Sequence, residues 1–261
     1  MREKIILIIV LSMSILGIDI KAQFKINSVG FYGNYTTALT NKGELKVNST
    51  KGPGGELEVR FDMYKNLKLS INTGYQNLSI NQDIHAMFAQ WNWKTWKRYY
   101  GDINDTNLAN FYNKYVQLLL ADSSNYAATF TPNQSVEIFP VIATVSYQIN
   151  PNDNLEIRPF LGAGVVFFYK SLYVEEHWRK FFKQLGGYAF DYSYRNMAEK
   201  VSGNPYVLAG GLDADYKIND YIMISGGVRY TYLLNTGSKY GYEDFTSKDL
   251  LNARLGISFM Y

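Results

Sequence analysis

His85 and His177 are the chain's two histidines, and the chain has no cysteine. A histidine does acid–base work when a hydroxyl or carboxylate stands within hydrogen-bond reach. Neither histidine sits in a His-x-Ser pair or a histidine–carboxylate strand motif. His177 does follow Glu175 and Glu176. The expectation is therefore no catalytic residue. The lack of cysteine removes thiolate nucleophiles, thiolate metal sites, disulfides and a lipoprotein anchor. Asp102-Ile103-Asn104-Asp105-Thr106-Asn107 gathers oxygen ligands, but its spacing is not that of a calcium loop and no glutamate closes it. It reads as a turn and helix N-cap, and no metal or cofactor is expected. Leu161-Gly162-Ala163-Gly164-Val165 lacks the third glycine and the following helix of a phosphate-binding loop, so its glycines belong to a strand.

Binding chemistry is richer. Trp91-Asn92-Trp93-Lys94-Thr95-Trp96 runs into Lys97, Arg98, Tyr99 and Tyr100. Three tryptophans so spaced cannot share one helical face. They suit either a platform that stacks a sugar or grips a protein, or an interfacial anchor. The candidate platform comprises Trp91, Trp93, Trp96, Lys97, Arg98 and Tyr99, together with Trp178 and Arg179. Basic and acidic residues, 26 and 23 in number, almost cancel, which argues against a nucleic-acid partner.

The positioning elements follow from periodicity. Met1-Arg2-Glu3-Lys4 and the apolar run Ile5–Ile18, then Ile20-Lys21-Ala22 before Gln23, predict a signal peptide over 1–22. Residues 23–261 then form one domain. No further stretch of 18 apolar residues occurs. Instead, segments of about ten residues alternate in polarity. Eight are identified: Phe24–Tyr35, Glu56–Tyr64, Leu67–Asn77, Val136–Ile149, Leu155–Tyr169, Pro205–Tyr216, Tyr221–Tyr232 and Leu250–Tyr261. The connections alternate too. Short turns follow the second, fourth and sixth, and long loops cover about 37–54, 80–134, 170–204 and 233–249. Only a closed sheet satisfies its backbone in lipid. The predicted fold is thus all-β, an eight-stranded antiparallel up-and-down transmembrane β-barrel with helix-containing extracellular loops. The helices are expected at Ile84, Met87, Phe88 and Trp91; at Leu108, Phe111, Tyr112, Tyr115 and Leu119; and at Val174, Trp178, Phe181 and Leu185.

The face opposite the apolar one carries Glu58, Arg60, Arg158, Asp213, Asp215, Arg229 and Arg254. Eight strands leave room for little but side chains, and a buried charge must be paired. An ion-paired interior without a pore is expected. Gly162, Gly164, Gly211, Gly227 and Gly256 share that register, and are expected to admit arginines from the opposite wall.

Arg254-Leu255-Gly256-Ile257-Ser258-Phe259-Met260-Tyr261 resembles the C-terminal assembly signal of bacterial outer-membrane barrels, with Gly256, Phe259 and Tyr261 at its marked positions. With the leader, the eight strands and Pro159–Val165, the chain resembles the small outer-membrane barrels of the OmpA/OmpX/OmpW-like group, most similar to the single-barrel proteins of Bacteroidetes. That resemblance implies a multi-pass barrel in the outer membrane of a Gram-negative bacterium. Its partners would be outer-membrane lipid, lipopolysaccharide and the barrel assembly machinery. The function it best fits is non-enzymatic: a surface barrel whose loop cap binds a protein, a glycan or lipopolysaccharide. Two basic clusters, Lys94, Lys97 and Arg98, and Arg179, Lys180 and Lys183, suit lipopolysaccharide phosphates. The alternatives are a narrow OmpW-like channel for small apolar molecules and a lipid A-modifying enzyme using His85 or His177.

Overall fold

The computed structural model describes residues 25–43, 46–82, 119, 121–197 and 200–261. The expected leader, His85, the Trp91–Tyr99 platform and nearly all of the two helices expected over 84–119 lie outside the described residues. Ten strands are present among those described: β1 (Lys25–Thr37), β2 (Val47–Tyr64), β3 (Leu67–Gln82), β4 (Tyr126–Tyr147), β5 (Leu155–Phe182), β6 (Tyr188–Met197), β7 (Val201–Gly203), β8 (Tyr206–Lys217), β9 (Ile222–Leu233) and β10 (Asp249–Met260).

Eight of them close on themselves. Strands β1 to β5, then β8, β9 and β10, pair antiparallel in chain order, and β10 pairs back onto β1 from Ser28↔Met260 to Thr37↔Leu251. Closure leaves no edge within the cylinder. The short turns are set by single residues. Lys65 takes a left-handed φ of 45° between β2 and β3. The Asn152 and Asn219 side-chain carbonyls each accept two backbone N–H groups, from Asn154 and Leu155 and from Tyr221 and Ile222. Two prolines lie inside strands. The β2–β3 register skips from Lys51↔Ser79 to Gly54↔Gln76 at Pro53, and the β3–β4 register skips from Thr73↔Val141 to Gln76↔Ile138 at Pro140. Each gap falls where the missing N–H would have bonded.

The side chains alternate through the wall. Phe31, Ile71, Val141, Leu161, Leu212, Val228, Leu255 and Ile257 are exposed on the outside. Tyr35, Tyr75, Tyr169, Tyr206, Tyr230 and Tyr232 are exposed toward the long-loop end, and Tyr64, Tyr147, Tyr216, Tyr221 and Tyr261 toward the short-turn end. Such a continuous apolar surface is untenable in water. Between two tyrosine girdles it matches hydrocarbon. The protein is a transmembrane β-barrel.

Two expectations are corrected. Residues 174–185 do not form a helix: β5 continues to Phe182, and a short 3-10 turn, Lys183–Leu185, leads into β6. Burial there alternates by two, with Leu172, Val174, Glu176 and Trp178 buried and His177 and Arg179 exposed. A spacing of four is even, so Val174 and Trp178 satisfy a strand as well as a helix. The loops expected over 80–134 and 170–204 are correspondingly shorter, since β4 begins at Tyr126 and pairs with the extension of β5, from Tyr126↔Lys180 to Ser135↔Ser171. Strand β6 adds to the other side of that extension. At about 3.3 Å per residue, the 28 residues of β5 run roughly 90 Å. A spanning strand needs only about 9–11 residues. The upper parts of β4 and β5, with β6, therefore form a three-stranded ribbon that continues the wall beyond the membrane.

The second correction concerns glycine. A Cβ on Gly256 would lie 2.0 Å from the Phe31 carbonyl oxygen, and one on Gly164 would lie 2.1 Å from that of Val141. A Cβ on Gly227 would meet Asp213 Oδ1 at 2.0 Å. What these positions spare is the adjacent strand, not an arginine from across the lumen. Gly256→Ala is expected to cost about 1–3 kcal/mol, read as a lower urea midpoint in lipid vesicles. Gly226→Ala, whose Cβ would find nothing nearer than 3.5 Å, should change stability by less than about 0.5 kcal/mol. Equal losses at both would contradict the close-approach argument.

Candidate functional site

Two regions carry functional chemistry among the described residues, the lumen and the ribbon. In the half of the lumen nearer the short turns, inward positions are charged. Strand β2 supplies Glu56, Glu58 and Arg60, β5 Glu156 and Arg158, β8 Asp213 and Asp215, β9 Arg229, and β10 Arg254; all are buried. Arg254 is the hub. Its Nη1 lies 3.0 Å from Glu56 Oε1, and its Nη2 lies 2.6 Å from Glu58 Oε2 and 2.7 Å from Asp213 Oδ2. Its guanidinium stands 4.4 Å from the Tyr32 ring centroid. Arg229 Nη2 lies 2.6 Å from Glu56 Oε1 and donates to Asn72 Oδ1 at 3.0 Å. Arg60 bridges Glu58 and Asp215, each at 3.1 Å. Arg158 Nε reaches Asp215 at 2.8 Å and Glu156 at 3.3 Å.

The structure thus brings Glu58, Arg60, Arg158, Asp213, Asp215, Arg229 and Arg254 into one network. Glu56, Glu156, Asn72 and Tyr32 complete it and were not among the sequence candidates. The signal for Glu56 and Glu156 was in the alternation: each stands two residues before a candidate, on the same inward face.

Above this layer the lumen turns apolar. Leu78, Ile80, Val136, Ile138, Val166, Phe168, Val207 and Leu233 point inward and pack with Tyr242 and Phe245 of the connection between β9 and β10. That connection folds into the mouth. Phe245 meets Phe168 edge-on at 5.1 Å. Lys42 Nζ donates to the Tyr242 carbonyl and lies 3.7 Å from its ring centroid. Lys170 Nζ donates to the Asp244 carbonyl at 3.0 Å, and Thr50 shares a hydrogen bond with Thr246. Between the layers is a cavity of about 20 Å³ touching Thr36, Gln76, Arg229 and Asn252, room for about one water.

On the ribbon, strand register sorts side chains by face. One face is polar. Its rows are Ala127–Arg179–Asp191, Thr129–His177–Ser193 and Thr131–Glu175–Arg195, and the upper two border a cleft of about 460 Å³. Arg179 and Asp191 form a two-pronged pair, Nε–Oδ1 2.6 Å and Nη2–Oδ2 2.8 Å. The hydrogen bonds from Arg179 hold the Asp191 carboxyl below the usual carboxylate range. His177 has two hydroxyls as cross-strand neighbours, which sequence spacing did not reveal. The acids that flank it on this face, Glu175 and Asp191, are engaged by Arg195 and Arg179.

The other face is aromatic. Trp178 is buried, donates Nε1–H to Glu176 Oε2 at 2.8 Å, and stacks on Tyr192 with centroids 6.5 Å apart. Phe190 stacks on Tyr192 at 5.9 Å. Trp178 and Arg179, which the sequence reading joined in one platform, therefore point to opposite sides of a strand.

No family model matches the chain, and no curated protein matches it. Among solved structures it is similar to Neisserial surface protein A (TM-score 0.42, 10% identity, 90% of this chain and 96% of that one). It is likewise similar to Ail, the attachment invasion locus protein of Yersinia pestis (0.40, 10%, 91% and 100%), and to the outer membrane protein OprG from Pseudomonas aeruginosa (0.44, 12%, 93% and 99%).

Proposed function

We propose that this outer-membrane barrel is a sealed, non-enzymatic stalk that presents its β4–β5–β6 ribbon to a partner outside the cell. The observation that carries this reading is the filling of the lumen in two layers. Buried ion pairs occupy the lower layer, and apolar side chains capped by Tyr242 and Phe245 occupy the upper. A conduit needs a continuous wetted path. The catalytic alternative would need an assembled acid–base pair. His177 makes no hydrogen bond to Ser193 or Thr129 among the described residues, and Asp191 is committed to Arg179. What the wall does beyond lipid is extend three strands upward, and this extension is the part that spanning the membrane does not require.

Two measurements test the reading. In planar bilayers the refolded protein is expected to show no unitary conductance. A variant in which 172–197 is replaced by a short turn is expected to fold as a barrel. It should lose the binding of the parent to extracellular glycans or proteins on an array. Steady conductance by the parent, or full binding by the shortened chain, would overturn it.

A further inference from the structure

The aromatic face of the ribbon carries one cation in its centre. Register puts Lys180 between Tyr126 on β4 and Phe190 on β6, with Phe182 and Trp178 two residues away on its own strand. Its ammonium lies 5.0 Å from the Phe182 ring centroid and 5.5 Å from that of Tyr126. No carboxylate pairs with it among the described residues. Glu176, the acid on this face of β5, lies two rows below and accepts from Trp178 Nε1. An open cleft of about 530 Å³ runs past Tyr126, Lys180, Phe182, Phe190 and Tyr192, within the size range of small-ligand sites.

We infer that this cleft is a subsite for an acidic sugar of an external glycan, a pyranose bearing a carboxylate. The inference rests on the stalk reading and names the chemistry of its partner. Flat aromatic surface in a stepped stack, with Phe190 half-exposed, offers C–H-rich sugar faces a place to lie. Among the described residues no anion meets the cation set among those rings, and a carboxylate on the sugar supplies one. Eleven residues separate Lys180 from Tyr169 in the upper girdle, about 36 Å along the strand. The headgroup zone extends only some 5–8 Å past the hydrocarbon. The subsite, on the inner face of the ribbon, therefore stands beyond the headgroup zone of a phospholipid bilayer.

The test uses the full chain refolded in detergent and two matched oligosaccharides, one carrying glucuronic acid and one carrying glucose in its place. The wild type is expected to bind the acidic sugar about tenfold more tightly, the worth of one charge-assisted contact. Lys180→Gln should erase that preference and leave weak binding to the neutral sugar. Phe190→Ala should weaken binding to both. Equal affinity for both sugars in the wild type, or an undiminished preference in Lys180→Gln, would overturn the inference. So would binding to anionic lipid vesicles that depends on Lys180 while neither sugar binds. If the sugar test fails while the shortened chain still loses its partner, the stalk reading stands and only the ligand is wrong.

Discussion

Arg254→Ala is expected to destabilise the folded barrel by about 3–5 kcal/mol, the cost of removing one partner from a buried ion-pair network. Arg254 reaches Glu56, Glu58 and Asp213 with bonds between 2.6 and 3.0 Å. Those acids sit on two strands, β2 and β8, that do not pair with each other. Removing the guanidinium leaves each with a remaining arginine: Arg229 for Glu56, Arg60 for Glu58, and Arg158 at 3.6 Å for Asp213. The layer already holds five carboxylates, Glu56, Glu58, Glu156, Asp213 and Asp215, against four guanidiniums. Losing one raises the excess where water cannot screen it. Urea unfolding in lipid vesicles, followed by tryptophan emission, reads the effect as a lower midpoint at unchanged slope. Adding Glu58→Gln and Asp213→Asn to Arg254→Met should recover about half of the loss, because neutral groups of similar shape tolerate burial better than orphaned ions. A loss below about 1 kcal/mol for Arg254→Ala would mean that water reaches the layer, and the apolar layer above it would be left as the seal among the described residues.

The barrel itself was legible because lipid and closure make the two-residue period strict. Leu57, Val59 and Phe61 against Glu58 and Arg60 leave one orientation open, and the structure adopts it. The short turns after the second, fourth and sixth segments were legible as the brief breaks between alternating runs. The ribbon was not. In β5 above Tyr169 neither face meets hydrocarbon, so the outward side chains are Glu175, His177 and Arg179 while Glu176 is buried on the inner one. Polarity no longer marks the face, and an aromatic spacing of four fits either period. Strand 126–135 is hidden for the same cause, since its partner on β5 carries the spacing that predicts a helix. A strand exists only as a pair, so one misreading hid two elements. The lumen charges were visible one by one, but which acid meets which arginine depends on the shear of the cylinder, and no local pattern encodes that.

Phe168→Ala is the second large effect, and it separates the two layers of the lumen. Phe168 is 1% exposed and packs on Phe245. Its ring fills space that glycine leaves at Gly203 and Gly241, where an added Cβ would lie 2.6 Å and 3.3 Å from it. Truncation should cost about 3–5 kcal/mol through lost burial and the cavity left behind. The loss falls on the contact that seats the β9–β10 connection, so protease should cut within 234–248 faster than in the parent. Conductance should nevertheless stay at zero, because seals in series fail only when both fail and the Arg254 network lies beneath. Conduction is expected only when Phe168→Ala is combined with removal of that network. Steady current through Phe168→Ala alone would show that the ion-paired layer passes water and ions. The apolar layer and its loop would then be the gate of a channel, and the stalk reading would give way to the conduit.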